Sequence, residues 1–417
     1  MKTITAELLT IGDELLYGQI VDTNSQWMGA ELSNAGIKVI RKTTVGDVHE
    51  EIMSAFSEAE RRADIILITG GLGPTNDDLT KPCLAKYFDC EMQIHQGALA
   101  EVTEFFTSRG RVLTELNRLQ ASLPACCEKI TNRLGTAPGM WFERNGKVFV
   151  SMPGVPHEMK VMMAEIIIPK LRRTFQTPSI HHTIIRTVGI GESFLAEKIA
   201  SWEQSLPAHF RLAYLPGYGE VKLRLTAIGT DIEKLKGEAG ELTAKIKPFV
   251  GEYIYGTGND PLEVAVGNLL RDKKLTLAVA ESCTGGYLSH LITSVPGSSD
   301  YFNGSMIAYS NDVKVKDLGV QQETLALHGA VSEPAIREMA SQVRLKFRTD
   351  IGVATSGIAG PGGGTPDKPV GTVWIACADD RRTVVRKLQL SKDRLINIKL
   401  SSVSALNLIR TTIQKPD

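Results

Sequence analysis

The first part of the chain alternates short apolar runs with longer amphipathic stretches. Short apolar runs are typical of buried strands, whereas apolar positions three and four residues apart are typical of helices. The pattern predicts strands over 4–9, 37–42, 65–69 and 148–152, separated by helices such as 24–34 and 50–61. Such an alternation predicts a mainly parallel sheet with helices on both faces, a three-layer α/β domain over residues 1–176.

Two changes of pattern divide the rest of the chain. Residues 177–257 carry strand-like runs at 182–188 and 221–228 between helical pieces, which predicts a small α+β module that acts as a spacer or in dimerisation. At the second boundary Asp260 is placed to cap a helix whose first residue is Pro261. Residues 258–417 form a second α/β domain, with strands predicted at 276–280, 305–309, 351–355 and 372–377 and a last helix over 393–413.

Composition narrows the class of protein. Lys+Arg and Asp+Glu both number 47, so no net charge draws the chain to nucleic acid or to an anionic membrane. Its apolar runs are shorter than the roughly 20 residues of a membrane span, which predicts a soluble, cytoplasmic protein. The six cysteines show no zinc-ligand spacing and are expected to be reduced thiols. We therefore expect small molecules as partners.

A serine follows the first strand of the C-terminal domain, where a helix begins. The segment AESCTGG occupies 280–286. At such a turn Ser282 lies among backbone N–H groups without helical partners, so it can attack a carbonyl carbon while nearby amides hold the oxyanion. The expected oxyanion and substrate-binding residues are Cys283, Thr284, Gly285 and Gly286. A plain glycine-rich turn is the alternative interpretation.

The nucleophile needs a base, and the sequence favours a lysine. The domain contains only His290 and His328, neither with an obvious aspartate partner. Tyr309 ends a predicted strand, and Lys314 follows five residues later at the same edge of the sheet. A lysine partly removed from water there has a lowered pKa and can accept a proton. An ordinary exposed lysine is the alternative.

A glycine-rich loop follows a third strand of this domain. The segment TSGIAGPGGGTP spans 355–366 and begins with Ser356 and Gly357 after its first threonine. Its glycines let the backbone approach a ligand closely, and such loops hold anionic groups. A flexible surface loop is the alternative, but the position at a strand end beside two other polar strand ends favours a binding site.

Together these segments resemble the C-terminal domain of the CinA family, the nicotinamide-nucleotide amidohydrolase domain. The matches are AESCTGG, AYSNDVK at 308–314, SGIAGPGGGTPDKPVGTV at 356–373 and DR at 393–394. The resemblance implies cofactor-free deamidation of nicotinamide mononucleotide. It assigns Ser282 as the nucleophile, Tyr309 and Lys314 as its activating partners, and Ser356 and Arg394 as substrate contacts. Two departures are Ser356, where the family commonly has threonine, and Ser305, where it often has glycine.

The N-terminal domain has a second set of candidate residues at two strand ends. GDELLYGQIVDTNS occupies 12–25 and TGGLGPTNDD occupies 69–78. A glycine turn that leads into a helix can hold phosphate oxygens, and the expected phosphate-binding residues are Gly70, Gly71, Gly73 and Thr75. Four carboxylates would repel phosphate unless a divalent cation lay between, which predicts Mg²⁺, Mn²⁺ or Co²⁺ bound by Asp13, Glu14, Asp77 and Asp78. Alternatively, Asp77 and Asp78 stabilise the first turn of a helix through capping and the helix dipole.

These motifs also resemble the CinA family, whose N-terminal domain is related to molybdopterin-binding proteins. GTAPGM at 135–140 and MPGVPHEM at 152–159 extend the match. The resemblance implies, for some relatives, hydrolysis of ADP-ribose. The alternatives are a pterin-binding or competence-associated scaffold without turnover and a molybdopterin-handling transferase. The favoured hypothesis is a homodimeric enzyme of pyridine-nucleotide salvage that contacts neither nucleic acid nor membrane.

Overall fold

The α/β class predicted from the sequence is confirmed. The computed structural model describes residues 3–75 and 78–414. Within them, contacts define two compact units, one within Met1–His181 and Ala227–Lys236, the other within His182–Thr226 and Gly237–Asp417. Most of the predicted middle module therefore packs in the same unit as the C-terminal segment.

The first unit contains a six-stranded sheet in the order β2-β1-β3-β8-β7-β6. Neighbours from β2 to β8 run parallel, and β8-β7-β6 run antiparallel, because β6, β7 and β8 follow one another along the chain without an intervening helix. A separate pair of strands, β4 and β5, is antiparallel. The strands are β1 Thr5–Ile11, β2 Lys38–Val45, β3 Ile65–Thr69, β4 Met92–Ile94, β5 Ser122–Pro124, β6 Glu128–Ile130, β7 Gly139–Arg144 and β8 Lys147–Met152.

Helices cover both faces of this sheet. The helices are α1 Asp13–Leu16, α2 Thr23–Asn34, α3 His49–Arg62, α4 Thr80–Tyr87, α5 Gln96–Thr107, α6 Glu115–Arg118, α7 Pro156–Met162 and α8 Ile168–Phe175. Alternate residues of β1 enter opposite cores: Leu8 packs with Met28 of α2, whereas Leu9 packs with Phe56 of α3. A strand buried on both faces has no polar side, which explains why the apolar residues Leu8 and Leu9 follow one another in β1.

The middle module has the order strand, helix, strand, strand, helix, strand. Its elements are β9 Ser179–Val188, α9 Glu192–Gln204, β10 Phe210–Pro216, β11 Glu220–Gly229, α10 Ile232–Val250 and β12 Ile254–Thr257. The sheet order β10-β11-β9-β12 is that of a split βαβ, or ferredoxin-like, fold. The only G-x-x-G sequence within 182–256, Gly237 to Gly240, lies inside α10 rather than in a loop.

The C-terminal segment contains a five-stranded sheet in the order β14-β13-β15-β16-β17. The first three strands run parallel and the last two antiparallel. The strands are β13 Leu277–Glu281, β14 Phe302–Ile307, β15 Ile351–Gly357, β16 Thr372–Ala378 and β17 Thr383–Gln389. The helices are α11 Leu262–Lys273, α12 Tyr287–Thr293, α13 Asn311–Val313, α14 Gln322–His328, α15 Glu333–Phe347 and α16 Arg394–Gln414.

Several local predictions were wrong. Helix α11 begins at Leu262, and Pro261 occupies the N-cap position without a side-chain cap, so Asp260 does not cap it. Strand β14 lies toward the N-terminus of its predicted position, which leaves Tyr309 in the loop that follows. The structure pairs Cys90 with Cys126 in a disulfide, contrary to the expected set of reduced thiols.

Among the described residues, none of the helices combines the length and apolarity that a membrane span requires.

Candidate functional site

Three parallel strands bring the predicted residues of the C-terminal domain to one edge of the sheet. Strand β13 ends just before Ser282, β14 ends two residues before Tyr309, and β15 contains Ser356 near its end. In open α/β sheets a crevice forms at the carboxyl ends of the strands where the strand order reverses, as it does at β13 between β14 and β15. A cavity of about 300 Å³ opens there, and its lining includes Ser282, Cys283, Tyr309, Lys314, Ser356, Gly357, Gly360 and Arg394.

The Lys314 amine contacts the Ser282 hydroxyl directly. Its Nζ lies 3.1 Å from Ser282 Oγ, 2.8 Å from the carbonyl oxygen of Ala308 and 3.1 Å from that of Tyr309. A neutral amine has two N–H donors and one lone pair. The two carbonyls can accept both N–H bonds, which leaves the lone pair to accept the hydrogen of Ser282.

Lys314 is also removed from water. Its side chain is buried, with a relative exposure of 2% for the residue, and it begins a π-helical turn, Lys314–Leu318. Burial lowers the pKa of Lys314 below its usual value of 10.5 and outweighs the opposing, pKa-raising influence of Cys283. Short π-helical segments are frequent at functional sites, because the extra residue re-aims a side chain. The turn here directs an amine inward instead of leaving it on the surface.

The turn after Ser282 leaves two backbone donors unused. Ser282 N donates to the carbonyl of Thr355, and the N–H groups of Gly285 and Gly286 also have acceptors. Within the described residues, the N–H groups of Cys283 and Thr284 donate to no other residue, and that of Cys283 contacts only its own thiol. These two groups are therefore free to bind a developing oxyanion.

The geometry of this turn depends on its two glycines and on contacts below it. Gly285 and Gly286 have φ values of 59° and 101°, in the left-handed region that favours glycine. The hydroxyls of Thr284 and Thr355 lie 2.7 Å apart, which ties the turn to strand β15. Burial raises the pKa of the Cys283 thiol to about 12, so this thiol is unsuited to act as the nucleophile.

The other predicted residues lie around the mouth of the cavity. Tyr309 is 57% exposed, and its hydroxyl accepts a 2.8 Å hydrogen bond from Arg394 rather than contacting Ser282. Arg394 also donates to the carbonyl of Gly360 and forms no ion pair within the described residues. Ser356 is buried and donates to the carbonyl of Ala330.

One participant in this site was not found by sequence reasoning. Glu281, the last residue of β13, is fully buried and accepts hydrogen bonds from the beginning of α12. The available signal was a carboxylate directly before the candidate nucleophile, inside an otherwise apolar strand. Neither His290 nor His328 lines the cavity.

The N-terminal motifs also meet at one edge of a sheet. Gly70 and Gly71 follow β3 with φ values of 103° and 63°. A Cβ atom at Gly70 would collide with the carbonyl oxygen of Ile11, and one at Gly71 would collide with the hydroxyl of Thr80. Glycine is therefore required where this loop approaches the end of β1 and the start of α4.

The Asp78 carboxylate organises the same loop. It accepts hydrogen bonds from the N–H groups of Gly73 and Thr75, at 2.7 and 2.9 Å, and from the hydroxyl of Thr75. Helix α4 begins later, at Thr80, with Leu79 at its N-cap and no side-chain cap. Asp78 thus stabilises the loop and does not cap helix α4.

The predicted metal ligands do not form a cluster by themselves. Asp13 accepts from the N–H of Asp47, and Glu14 lies beside it in the first turn of α1. Across 3–75 and 78–414, no group of three or more His, Cys, Asp or Glu side chains is arranged to hold an ion. Asp77 lies outside the described residues. Metal binding therefore stays a prediction.

Asn24 is an N-terminal residue that sequence reasoning did not single out. It is buried in the first turn of α2, and its Nδ2 donates to the carbonyl of Gly154, 2.7 Å away. Its Oδ1 is buried without a hydrogen-bond partner. A buried unpaired acceptor is costly. Gly154, which Asn24 contacts, is adjacent to the glycine loop, since a Cβ atom at Gly154 would be 3.5 Å from Gly70 Cα.

Comparison with known proteins matches all three segments. Residues 259–413 match the CinA C-terminal domain, 7–173 a probable molybdopterin binding domain, and 182–256 the damage-inducible protein CinA KH domain. A CinA-like protein from Cytophaga hutchinsonii is 51% identical over 412 residues, covering 99% of each chain. Another from Flavobacterium psychrophilum is 42% identical, covering 98% of this chain and 99% of its own. A solved CinA structure from Thermoplasma acidophilum is 35% identical, with a TM-score of 0.36, and covers 40% of this chain and 95% of its own. This chain belongs to the CinA family.

Proposed function

We propose that the C-terminal domain is a serine amidohydrolase that converts nicotinamide mononucleotide to nicotinic acid mononucleotide and ammonia. The observation that carries this proposal is the 3.1 Å contact between Lys314 Nζ and Ser282 Oγ at a buried position beside two unused N–H groups. A nucleophile, a base with a lowered pKa and an oxyanion site are the parts that acyl transfer needs.

The first half of the reaction forms an acyl-enzyme. Ser282 Oγ attacks the carboxamide carbon while its proton moves to Lys314 Nζ. The carbonyl oxygen becomes an oxyanion, which the N–H groups of Cys283 and Thr284 stabilise. The C–N bond then breaks as the Lys314 ammonium gives its proton to the leaving nitrogen, and ammonia departs.

The second half releases the acid. Water attacks the ester carbonyl as Lys314, neutral again, accepts a proton from it. The intermediate collapses, Ser282 Oγ leaves, and Lys314 returns the proton to that oxygen. One carboxamide and one water thus yield one carboxylic acid and one ammonia, and the domain needs no cofactor.

The cavity mouth fits a phosphorylated pyridinium substrate. The Arg394 guanidinium supplies a cation without a carboxylate partner, which suits the nucleotide phosphate. The exposed Tyr309 ring beside it can stack against the positively charged pyridinium ring. We assign Tyr309 to activation of Ser282 only indirectly, since its backbone carbonyl holds Lys314. Ser356 and Gly357 would border the bound carboxamide.

An ammonia-release assay on nicotinamide mononucleotide with the full chain tests this function. Release above the background of a folded Ser282→Ala protein supports it. A wild-type protein that binds the nucleotide without releasing ammonia would favour the alternative, a non-catalytic pterin-binding or competence-associated scaffold. Such a scaffold has no need of an amine buried against a serine.

We further propose that the N-terminal glycine loop binds a phosphorylated ligand, with cleavage of ADP-ribose as the activity to test. Support comes from the glycines required at Gly70 and Gly71 and from the unpaired Oδ1 of Asn24. Product analysis with Mg²⁺, Mn²⁺ or Co²⁺, with and without a chelator, decides the question. Absence of cleavage with every metal would leave a binding domain.

We do not expect the middle module to bind RNA. KH modules clamp a nucleotide backbone with a G-x-x-G loop. The only such sequence within 182–256 is helical here, and basic and acidic residues are equal in number over 180–256. A filter-binding assay with single-stranded RNA is expected to show no binding beyond the salt-sensitive background.

A further inference from the structure

A buried carboxylate lies directly before the nucleophile. Glu281 ends β13, and it lies on the same face of the strand as Leu277 and Val279, which belong to the hydrophobic core. Strand alternation therefore predicts an apolar residue at this position. The side chain of Glu281 is instead an acid with 0% exposure, and burying a charge is costly unless its oxygens are hydrogen-bonded.

The Glu281 oxygens are satisfied by the beginning of α12. They accept from the N–H groups of Gly286 at 2.9 Å, Leu288 at 3.2 Å and Ser289 at 2.8 Å. The hydroxyl of Ser289 donates a fourth bond at 2.5 Å. No lysine or arginine forms an ion pair with Glu281 in the described residues. Its entire hydrogen-bonding capacity is therefore directed to the turn and helix that follow Ser282.

These contacts determine which backbone donors stay free. Glu281 accepts hydrogen bonds from the N–H groups at the start of α12. The carbonyl of Thr355 accepts a hydrogen bond from the N–H of Ser282, 2.9 Å away. Cys283 and Thr284 lie between these two attachment points, and their N–H groups donate to no other residue in the described part of the chain. The turn is thus held at both ends, and Cys283 between these ends lines the cavity.

We propose that Glu281 is a positioning residue that holds the nucleophile turn, so that Ser282 and the N–H groups of Cys283 and Thr284 keep their relative geometry during acyl transfer. This inference rests on the proposed function of the same site. Glu281 forms no hydrogen bond with Lys314, whose three hydrogen-bonding contacts are with Ser282 and two backbone carbonyls. Glu281 therefore acts through the geometry of the turn and not through the base.

The test compares Glu281→Gln with a matched control, Glu338→Gln. Glu338 is also a capping carboxylate of this domain. It accepts from the N–H of Gln321 at 2.8 Å and the hydroxyl of Thr324 at 2.5 Å, and it does not line the cavity. Glutamine keeps the volume but replaces one acceptor oxygen with an N–H₂ donor, which would face N–H groups that already donate.

For Glu281→Gln we expect kcat for ammonia release to fall about 100-fold, because a misplacement near 1 Å costs that much. KM should stay within about twofold, because the substrate contacts at the cavity mouth are unchanged. The midpoint of the pH profile should not move, because burial sets the pKa of Lys314. Glu338→Gln should keep the wild-type kcat. A kcat for Glu281→Gln equal to that of the control, or a changed KM alone, would overturn the inference.

Labelling of Ser282 by a fluorophosphonate provides a readout independent of the substrate. Glu281→Gln should be labelled more slowly than Glu338→Gln. If Glu281→Gln does not fold, Ser289→Ala, which removes one of the four bonds, should slow labelling by roughly two- to tenfold. Unchanged labelling of Ser289→Ala would then refute the inference. A wild-type protein that is labelled but releases no ammonia would refute only the proposed substrate, and one with neither property would refute both proposals.

Discussion

Replacement of Lys314 by methionine tests the proposed chemistry most directly. Methionine has a similar length and no charge, so it can fill the buried space while removing the amine that contacts Ser282. General bases contribute about 10²- to 10⁴-fold to rate, and no histidine lines the cavity to replace this one. We therefore expect kcat for ammonia release to fall by about 10³-fold or more.

The effect of Lys314→Met on stability should be modest. The carbonyls of Ala308 and Tyr309 lose a donor, which costs about 1–3 kcal/mol for each group left unpaired. The cost of burying the amine disappears at the same time. The free energy of unfolding should thus change by no more than about 2 kcal/mol in either direction, and the variant should remain folded.

A matched control lies two residues further along the same turn. Lys316 is 71% exposed and pairs with Asp312 on the surface, 2.9 Å away. Lys316→Met should keep full activity. Both variants are compared in a coupled ammonia assay on nicotinamide mononucleotide, with circular dichroism and thermal unfolding to verify the fold. If Lys314→Met kept more than about a tenth of the wild-type kcat, the assignment of Lys314 as base would be refuted.

The remaining predictions concern pH and the two sites. Because kcat needs neutral Lys314, it should rise with pH through a pKa below 10.5, and an activity that falls over that range would contradict the assignment. The unfolded chain binds more protons between that lowered pKa and 10.5, so stability relative to Lys314→Met should increase with pH in denaturant titrations. Ser282→Ala should abolish ammonia release without unfolding, and adding Lys314→Met should cost little more. Asp78→Ala should release the Gly73 and Thr75 N–H groups and impair ADP-ribose cleavage but not deamidation, and loss of both activities would contradict separate sites.

Much of the fold was predictable because its strands are strongly patterned. Strand β3 has the predicted bounds, Ile65–Thr69, since a run of five buried residues admits few alternatives. Strand β17 was missed because its residues alternate less clearly and it lies at the edge of the sheet. The start of α11 was predicted wrongly because a cap depends on the actual backbone angles, which neighbouring residues influence.

The sequence by itself determined the α/β class, the family and the candidate residues Ser282 and Lys314, because strand periodicity and glycine-rich turns are local properties of the chain. Tertiary structure decided how those residues are used. Lys314 Nζ reaches Ser282 only because β13 and β14 are neighbours in one parallel sheet, and 32 positions separate the two residues along the chain. The burial of Glu281 and the free N–H groups of Cys283 and Thr284 likewise depend on which groups the folded chain brings within hydrogen-bonding distance. Periodicity places a residue on a strand or a turn, but its hydrogen-bond partners come from distant segments, whose positions depend on packing.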